Sequence, residues 1–334
     1  MDDLAYGTRN KRSDWSPKEP AGLAPLFVFP PQPLKLLKWL PHYFFPYNLL
    51  FALSAIMWWQ WILPDQNTMK TLAWGWALRL YVINTVAVFL FFGIFELRLY
   101  VLRSQGNRFK YNGKWPSENK SDVFWFKSQN IDNMGRCFLV GTPIWTALEV
   151  LILHLYAIGS VPWLSFAEHP VYLALLALVV PVIHETHFFF LHRAIHWGPL
   201  YKWVHSVHHN SVNPSPYSSL SMHPVEMLGY LGVALWHLII PSNPLLALYQ
   251  LHYAGFGAIP GHVGFDKIEV GDDSSIDTHA YIHYLHHKNF EVNYGDGLIP
   301  FDKWFGTFHD GSKEGEARME ARFEKMRARA NKSR

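Results

Sequence analysis

Four long apolar stretches most strongly limit what this chain of 334 residues can fold into. An α-helix needs roughly 20 predominantly apolar residues to cross the hydrocarbon core of a membrane, and each stretch approaches that length. They cover, in chain order, about 45–63, 80–102, 138–159 and 170–191. A fifth apolar stretch at about 226–260 contains Pro241 and Pro244 in its middle. Because proline breaks a helix, we expect a hairpin or a re-entrant pair of half-helices there, shielded by other helices.

The composition agrees with a membrane protein. Hydrophobic residues make up 50% of the chain and charged residues only 16%, which is little charge for a soluble protein. No periodic strand pattern is present. We therefore predict an all-α fold, an integral membrane helical bundle with about four spans, the hairpin or re-entrant region and a cytosolic histidine-rich helical cap. The net charge of +3 does not suggest nucleic acid as a partner, and the single Cys137 fits a reducing compartment.

The distribution of basic residues predicts the orientation in the membrane. The loop 103–137 carries seven Lys and Arg residues and the tail 312–334 is also basic, whereas the connections 64–71 and 160–169 contain only Lys70. Since Lys and Arg favour the cytosolic side, we place the loop and the tail there. The resulting regions are a cytosolic N-terminal segment (1–44), a transmembrane region (45–170), a catalytic region (171–310) and a charged cytosolic C-terminal helix (311–334).

Three histidine clusters lie in the predicted catalytic region. They read HRAIH from His192 to His196, HSVHH from His205 to His209, and HYLHH from His283 to His287. Positions i, i+3 and i+4 share one face of a helix, so each cluster can direct two or three imidazoles at one point. Burying eight neutral rings together costs free energy unless each has a partner, and eight ligands exceed a four-coordinate zinc site. We therefore predict a site for two metal ions, with these ligands: His192, His196, His205, His208, His209, His283, His286 and His287.

The same motifs resemble those of a known family. The stretches Phe190–His196 (FLHRAIH) and Tyr201–His209 (YKWVHSVHH) are similar to the fatty acid hydroxylase superfamily, which includes sterol desaturases, methylsterol oxidases and lipid hydroxylases. Further similar elements are His223–Glu226 (HPVE), Gly261–Asp266 (GHVGFD), His283–Gly295 (HYLHHKNFEVNYG) and Asp302–Thr307 (DKWFGT). The resemblance covers about 184–308, whereas residues 1–170 match only as hydrophobic spans. The HxxxH spacing of the first cluster is closer to the sterol-type branch.

The resemblance implies an integral membrane enzyme with a histidine-bound di-iron centre. It implies O2-dependent hydroxylation or desaturation of a sterol or related isoprenoid, with a fatty acyl or sphingoid lipid as the alternative. Zinc can replace iron in purified protein, because imidazole binds both metals. The expected location is the endoplasmic reticulum in a eukaryote or the inner membrane in a bacterium, with the metal site on the cytosolic face. No HPGG-type haem segment is present, so electrons are expected from a separate cytochrome b5, ferredoxin or reductase.

Several other residues are candidates for a role in the site. His262, in the Gly261–Asp266 element, is expected as a ninth ligand, with a loop histidine capping a helix end as the alternative. His279 precedes His283 by four residues, which on a helix places it either on the metal or beside it. His223 is interpreted as a residue that positions ligands rather than as a ligand.

The remaining candidates include two histidines on the helix of His192. His184 and His187 are read either as ligands or as polar residues at the mouth of the site. Ligating histidines usually donate their other N–H to a carboxylate or carbonyl, and ion pairing with Arg193 or Lys202 is the alternative for the carboxylates. The candidates for holding ligands in this way are Glu185, Glu226, Asp266 and Asn293. His154 and His237 lie within apolar runs and are expected to pack between helices.

Two functions of other classes compete with the oxygenase. A membrane metal-binding or transport protein would place ionisable residues near the bilayer midplane, whereas these clusters follow the spans. A zinc-dependent membrane hydrolase would need three protein ligands and an open water position, and the histidines exceed that number.

Overall fold

Helices dominate this computed structural model, which describes residues 1–118 and 120–332. The predicted helical class is thereby confirmed. The α-helices are α1 (Pro33–Phe44), α2 (Tyr47–Met57), α3 (Gln66–Met69), α4 (Trp74–Phe95), α5 (Gln129–Arg136), α6 (Thr142–Ala157), α7 (Pro170–Ile195), α8 (Gly198–Leu200), α9 (Ser206–His209), α10 (Pro224–Leu231), α11 (Trp236–Ile239), α12 (Pro244–His262), α13 (Tyr281–Asn289), α14 (Phe301–Trp304) and α15 (Lys313–Lys332).

Wider and narrower helical turns connect or extend several of these helices. The wide, π-type turns are Trp58–Ile62, Glu96–Val101, Cys137–Gly141 and Tyr201–His205. The narrow, 3-10 turns are Asp3–Ala5, Pro25–Phe27, Pro116–Glu118, Trp125–Lys127, Pro216–Leu220 and Gly232–Leu235. The wide turn after α4 and the one before α6 lengthen both helices without a break, so each becomes long enough to cross a membrane.

Two short antiparallel hairpins accompany the helices. Strand β1 (Gly7–Arg9) pairs with β2 (Trp15–Pro17), and β3 (Lys267–Glu269) pairs with β4 (Ser275–Asp277). Each strand has three residues. A strand this short shows too little alternation of apolar and polar residues to be recognised from sequence.

Three stretches of the described chain are long and apolar enough to cross a membrane, namely Trp74–Val101, Gln129–Ala157 and Pro170–Ile195. Of the four predicted spans, the first, 45–63, is therefore not among the helices long enough to cross a membrane. Helix α2 begins after Pro46, and its wide-turn extension ends before Pro64, because a residue preceding proline is disfavoured in helical geometry. The eleven residues of α2 and the five of its extension are too few for a span.

The fifth apolar stretch forms a helical hairpin, one of the two arrangements expected. Helices α10 and α11 run continuously through a narrow turn, and α12 returns after a short connection. Pro241 lies in this connection, and Pro244 occupies the first turn of α12, where its missing N–H costs nothing. The Asn243 side chain accepts a hydrogen bond from the backbone N–H of Leu245 and caps the helix.

Helix α4 shows how the bundle meets its surroundings. Its buried residues follow one another at intervals of four and form one face, namely Trp76, Leu80, Asn84, Val88 and Phe92. The other faces expose large apolar side chains, among them Leu78, Val82, Phe89, Leu90 and Ile94. A contiguous apolar surface of this kind is unfavourable in water and favourable against lipid tails, so it indicates a membrane.

Helix α12 lies at the centre of the bundle, in contact with α2, α6 and α7. Two glycines permit its close approach to its neighbours. A Cβ atom at Gly255 would overlap the indole of Trp145 on α6, and one at Gly257 would lie 3.1 Å from the Phe51 ring on α2. The depth of α12 is thereby fixed, and with it the position of His262 at its last residue.

A smaller apolar cluster supports α13 from the N-terminal side of the chain. Trp15 on β2 is buried with Phe109, Tyr111, Ala280 and Tyr284. The rings of Tyr111 and Tyr284 stack with centroids 4.8 Å apart. Since Tyr284 follows His283 on α13, this packing holds the helix that carries the third histidine cluster.

Candidate metal centre

Nine buried histidines form two adjacent groups, each able to hold a metal ion. Within each group the ring nitrogens that face one another all lie within 4.8 Å. The first group contains His192, His196, His205, His209 and His286. The second group contains His208, His262, His283 and His287. The structure thus brings together all eight cluster histidines and His262, the residues that the sequence singled out as ligands.

Each HxxHH cluster contributes to both groups. His205 and His209 point into the first group, whereas His208 between them points into the second. The third cluster has the opposite arrangement, because His283 and His287 join the second group and His286 joins the first. An i, i+4 pair lies on one line along a helix, and the i+3 residue is offset to its side. The second and third clusters therefore each supply histidines to both groups.

Local backbone geometry places the first two clusters next to each other. His192 lies in the last turn of α7, and His196 immediately follows that helix. The chain reverses at Trp197 through the three-residue α8, and the wide turn Tyr201–His205 leads into α9. Wide helical turns of this kind recur at functional sites, because they redirect side chains within a helix.

Backbone carbonyls hold four of the rings by their Nδ1 atoms. His192 donates to Tyr294 (2.7 Å), His208 to Ser221 (3.2 Å), and His262 to Ala258 (2.8 Å). His286 donates to Val292 (2.6 Å). A carbonyl accepts only, so in each ring the hydrogen lies on Nδ1, and the bare Nε2 is directed into the group.

Glu226 holds a fifth ring in the same way. Its carboxylate lies 2.7 Å from Nδ1 of His205, and both side chains are buried. Glu226 belongs to the first turn of α10, which begins at Pro224. His223 caps this helix, because its Nδ1 accepts a hydrogen bond from the Val225 backbone N–H at 3.2 Å. His223 thus stabilises the helix that presents Glu226, and it does not join either group.

The distances between Nε2 atoms fit a bound cation. His208 and His262 have their Nε2 atoms 3.2 Å apart, although both use their Nδ1 hydrogens on carbonyls. The Nε2 atoms of His192 and His205 are 3.1 Å apart, although their Nδ1 atoms face the Tyr294 carbonyl and the Glu226 carboxylate. Burial lowers the pKa of His208 to about 4, so these rings are neutral near pH 7. Bare lone pairs facing each other at such distances repel unless a cation lies between them, and imidazole suits first-row transition metals.

Several buried ring nitrogens lack any hydrogen-bond partner in the described part of the chain. They are Nδ1 and Nε2 of His196 and the Nδ1 atoms of His209, His283 and His287. Buried polar atoms are nearly always paired in native proteins, so an unpaired set at one place indicates a missing partner. Ions and ordered waters supply such partners.

His279, predicted to lie on the metal or beside it, belongs to neither histidine group, although it lines the adjoining cavity. Helix α13 begins at Tyr281, so His279 precedes it and does not share a helix face with His283. His279 has a left-handed φ of 56°. Its ring instead faces His42, with centroids 6.5 Å apart.

His184 and His187 also lie outside both groups. His187 is held by the carbonyl of Gly229 at 2.8 Å and by the indole N–H of Trp236 at 3.1 Å. His184 packs against the ring of Phe188 on α7 and that of Tyr253 on α12. Both lie one to two turns before His192, too far along the helix to reach the point that His192 and His196 share.

The other candidate positioning residues act on the backbone around the site. Glu185 accepts hydrogen bonds from the backbone N–H groups of Asp296 and Gly297, both at 3.1 Å. Asn293 donates to the carbonyls of Ile282 and His309, and Asp266 accepts from the Tyr111 hydroxyl. Glu226 alone among the four candidates touches a ligand ring.

The two histidines assigned to packing lie where the sequence suggested. His154 Nδ1 is 3.0 Å from the Met69 carbonyl, and the fully buried His237 is 2.7 Å from the Ser242 hydroxyl. Each therefore connects neighbouring parts of the bundle.

A cavity of about 660 Å³ opens beside the two groups. Its lining includes His192 and His205 of the first group and His208, His262 and His283 of the second. The wall also contains the rings of Phe51, Phe188, Tyr230 and Tyr253. This volume matches a small-molecule or lipid-sized ligand, and both groups border it.

Sequence reasoning missed the carbonyl acceptors and most of the cavity wall. A backbone carbonyl carries no residue-type signal, so Tyr294, Ser221, Ala258 and Val292 could not be recognised as partners of the ligand rings. Asp296 in the cavity wall immediately follows the element His283–Gly295, and its acidic side chain was the one available signal.

The fold and site define a helical membrane protein whose buried histidines could hold metal ions. Residues 177–307 match the model of the family described as fatty acid hydroxylase. This match covers less than half of the chain, and it supports the fatty acid hydroxylase/sterol desaturase superfamily to which the histidine motifs showed a resemblance.

Curated relatives include sterol-modifying enzymes. A Delta(7)-sterol 5(6)-desaturase of Gibberella zeae is 26% identical over 44% of this chain and 39% of its own length. Another from Eremothecium gossypii is 26% identical over 47% and 48%. Methylsterol monooxygenase 1 of Danio rerio is 32% identical over 38% and 44%. The chain thus spans less than half the length of each. No solved structure matches the chain significantly.

Proposed function

We propose that this chain is a membrane oxygenase that uses O2, two iron ions and external electrons to hydroxylate or desaturate a sterol-like lipid. The observation that carries the proposal is the division of nine buried histidines into two adjacent groups that border one cavity. The names of the relatives, sterol desaturases and a methylsterol monooxygenase, support the choice of a sterol-like substrate.

In this proposal each group of histidines would hold one iron ion. Bound iron would supply the reductive activation of O2 that breaks an unactivated C–H bond, which side chains alone do not achieve. One oxygen atom ends in water and, in hydroxylation, the other enters the substrate, with a pair of electrons and protons supplied from outside. The first ion would be held by His192, His196, His205, His209 and His286, and the second by His208, His262, His283 and His287.

The protein's own residues orient the ligands and the substrate. The carbonyls of Tyr294, Ser221, Ala258 and Val292 and the Glu226 carboxylate hold ligand rings in one tautomer, which pre-organises the site. The aromatic cavity wall excludes water from a bound lipid and holds the target carbon beside histidines of both groups.

Electrons would reach the site from the side opposite the cavity. His196, His209, His286 and His287 do not line the cavity. The His209 ring lies 4.9 Å from Phe290 and 5.8 Å from Tyr201. Both aromatic residues are partly exposed, so they connect the site with the protein surface. A cytochrome b5, ferredoxin or reductase would dock there on the cytosolic face, in the endoplasmic reticulum of a eukaryote or the inner membrane of a bacterium.

Metal analysis and lipid analysis test the function. Active purified protein should contain two metal ions per chain, iron in the active form, and cells with and without the gene should differ in an oxidised lipid. His208→Ala and His286→Ala should abolish oxidation in each case, whereas His154→Ala, in the bundle, should retain it. One metal ion or none in active protein would contradict the proposal, as would an inactive His154→Ala variant at equal expression.

A further inference from the structure

The N-terminal segment is fixed at the end of the bundle that carries the histidine clusters, which we call the histidine end. Strand β2 belongs to the small apolar cluster that supports α13. Further along the chain, the backbone N–H of Ala21 donates to the carbonyl of Asp310 at 2.8 Å, and that of Ala24 donates to Gly297 at 3.1 Å. The chain therefore remains at the histidine end up to about residue 24.

The chain has reached the opposite end of the bundle by residue 69. The span Gln129–Ala157 begins at the histidine end, because Ser211, just after the second histidine cluster, donates to the Asn133 side chain at 3.0 Å. In the last turn of the same span, His154 lies 3.0 Å from the carbonyl of Met69. Between residues 24 and 69 the chain therefore passes along the full length of the spans.

Helices α1 and α2 make this passage in series. Helix α1 has 12 residues, α2 has 11 and the wide turn that extends α2 has 5. At about 1.5 Å per residue they rise together about 42 Å, which exceeds the roughly 30 Å of a hydrocarbon core. Phe45 and Pro46 separate the two helices, since a residue before proline is disfavoured in helical geometry. Neither helix crosses alone, but the pair is long enough.

The last turn of α1 lies at membrane depth. The Tyr43 hydroxyl donates to the carbonyl of Leu178, which lies inside the span Pro170–Ile195. The large apolar side chains exposed on α1 and directly after it are Leu34, Leu37, Phe44 and Phe45. Lys35 and Lys38 lie nearer the start of the helix, where cations suit lipid head groups. Helix α1 therefore descends from the head-group region into the hydrocarbon.

Helix α1 is also the wall between the cavity and the bilayer. Trp39, His42 and Tyr43 line the cavity, whereas Leu37 and Phe44 on the same helix are exposed. The wall is thus one helix thick at this place. No residue of α1, a helix that is described over its whole length, is fully buried. A segment with so little buried surface opens at low cost compared with the core of the bundle.

The cytosolic side of the cavity is covered by the N-terminal segment 17–24. Several of its residues line the cavity, and the backbone hydrogen bonds of Ala21 and Ala24 fasten it. Leu23 packs closely on Gly297, because a Cβ atom there would lie 3.0 Å from the leucine side chain. Gly297 has a φ of 89°, which favours glycine. Entry from the cytosol would require this fastened segment to move.

We propose that α1 and α2 form a fourth, interrupted crossing, and that the lipid substrate enters the cavity from the bilayer past α1. The proposal rests on the oxygenase function proposed above. A lipid that follows this route does not transfer its apolar surface through water, which would be strongly unfavourable. The hydrogen bond between Tyr43 and Leu178 joins α1 to α7, and it breaks when α1 moves away to admit the lipid.

Thiol labelling tests the entrance without turnover. In a Cys137→Ala background, Ala258→Cys would place a thiol in the cavity wall. Proteoliposomes with the cytosolic face outward would be treated with a long-chain alkyl maleimide, which dissolves in the bilayer, or with a membrane-impermeant maleimide. We expect the alkyl reagent to modify Ala258→Cys and the impermeant reagent to modify only the exposed control Asp122→Cys.

Two results would overturn the entrance from the bilayer. Impermeant labelling of Ala258→Cys as fast as that of Asp122→Cys would show that the cavity opens to the cytosol. Failure of the alkyl reagent to modify an Ala258→Cys thiol that reacts once the protein is unfolded would show that the bilayer route is closed. Labelling as expected, without any oxidised lipid in cells, would instead overturn the oxygenase function.

A tyrosine substitution tests the role of α1 in this entrance. Tyr43→Phe keeps the ring and removes the hydrogen bond to Leu178, so it should speed alkyl labelling of Ala258→Cys about 2- to 10-fold. Tyr172→Phe is the matched control, because the Tyr172 hydroxyl donates to the Pro241 carbonyl at 2.7 Å outside the cavity. Equal labelling rates in the two variants would contradict a movement of α1.

Nitroxide labels test the interrupted crossing independently of any ligand. Labels attached to Leu37→Cys and Phe44→Cys would be exposed to oxygen, which concentrates in the bilayer, and to a water-soluble nickel complex. We expect the ratio of oxygen to nickel accessibility to be higher at Phe44, the deeper position, and low at a label on Asp122→Cys. Nickel accessibility at both α1 positions equal to that at Asp122 would overturn the crossing.

Discussion

The Glu226 carboxylate lies 2.7 Å from Nδ1 of His205, and both residues are less than 4% exposed. Among the described residues this is the one contact of hydrogen-bond length between an acidic side chain and a ligand ring, since Glu291 lies 4.0 Å from Nδ1 of His196. It fixes the His205 tautomer and adds a negative charge near two predicted cations, which strengthens imidazole as a ligand.

Loss of the Glu226 contact should weaken metal binding. We expect Glu226→Ala to lower metal affinity by about 10- to 100-fold, the usual effect of removing a group that orients a ligand. Glu226→Gln should have a smaller effect, since its amide oxygen still accepts the Nδ1 hydrogen. Competition with a chelator measures both. Wild-type affinity in Glu226→Ala would show that the carboxylate does not support the metal.

The second histidine group should lose its ion selectively when one of its members is removed. We expect His262→Ala to reduce the metal content from two ions towards one, because the five-histidine group remains complete. His279→Ala is the matched control and should retain both ions, since that ring faces His42. Elemental analysis of the purified variants gives the answer, and equal losses in the two would contradict the assignment.

A buried lysine should make stability depend on pH. Burial lowers the pKa of Lys110 from 10.5 to about 7, and its ammonium donates to the carbonyls of Asn112 and Lys114. Between about pH 7 and about 10.5 the unfolded chain therefore binds more protons than the folded one at this residue, so its contribution to stability rises with pH.

The pH dependence can be isolated by substitution. Melting temperatures of wild type and Lys110→Met, measured from neutral to alkaline pH, should differ by an amount that changes across this range. The wild type should gain relative to the variant as pH rises. The exposed Lys114→Met serves as control and should run parallel to the wild type. A constant difference between Lys110→Met and wild type would refute the titration.

A buried polar network should contribute to the stability of the bundle. Asn84 on α4 donates to Glu149 on α6 at 2.7 Å and accepts from the Trp58 indole at 3.0 Å. We expect Asn84→Leu to destabilise the protein by about 1–3 kcal/mol for each group left unpaired. Thermal unfolding in detergent measures this, with the exposed Asn67→Leu as control. Equal stability of both variants would contradict the role of the network.

The two connections that flank one span should lie on opposite sides of the membrane. Asp122 lies before the stretch Gln129–Ala157 and Glu168 lies after it, and both are exposed. In a Cys137→Ala background, a membrane-impermeant thiol reagent on the non-cytosolic side should label Glu168→Cys and not Asp122→Cys. The seven cations of the loop 103–137 are the physical reason. The reverse labelling pattern would invert the proposed orientation.

Sequence alone determined the features that depend on short-range periodicity. Apolar runs of sufficient length predicted a helical membrane protein, and HxxHH spacing placed histidines on one face of α9 and of α13. These patterns act within a few helical turns, where backbone geometry relates sequence separation directly to position. The nine histidines that the sequence singled out are the nine that the structure brings together.

Tertiary structure decided everything that joins distant parts of the chain. The partner of the His192 ring is the carbonyl of Tyr294, and the partner of the Asp296 backbone is Glu185. Two expectations depended on helices that are shorter than the sequence suggested. His279 precedes the first residue of α13, and the helix within 45–63 is too short for a span. Helix periodicity says which side chains share a face. Only the packing of α7, α10, α12 and α13 against one another sets what each face meets.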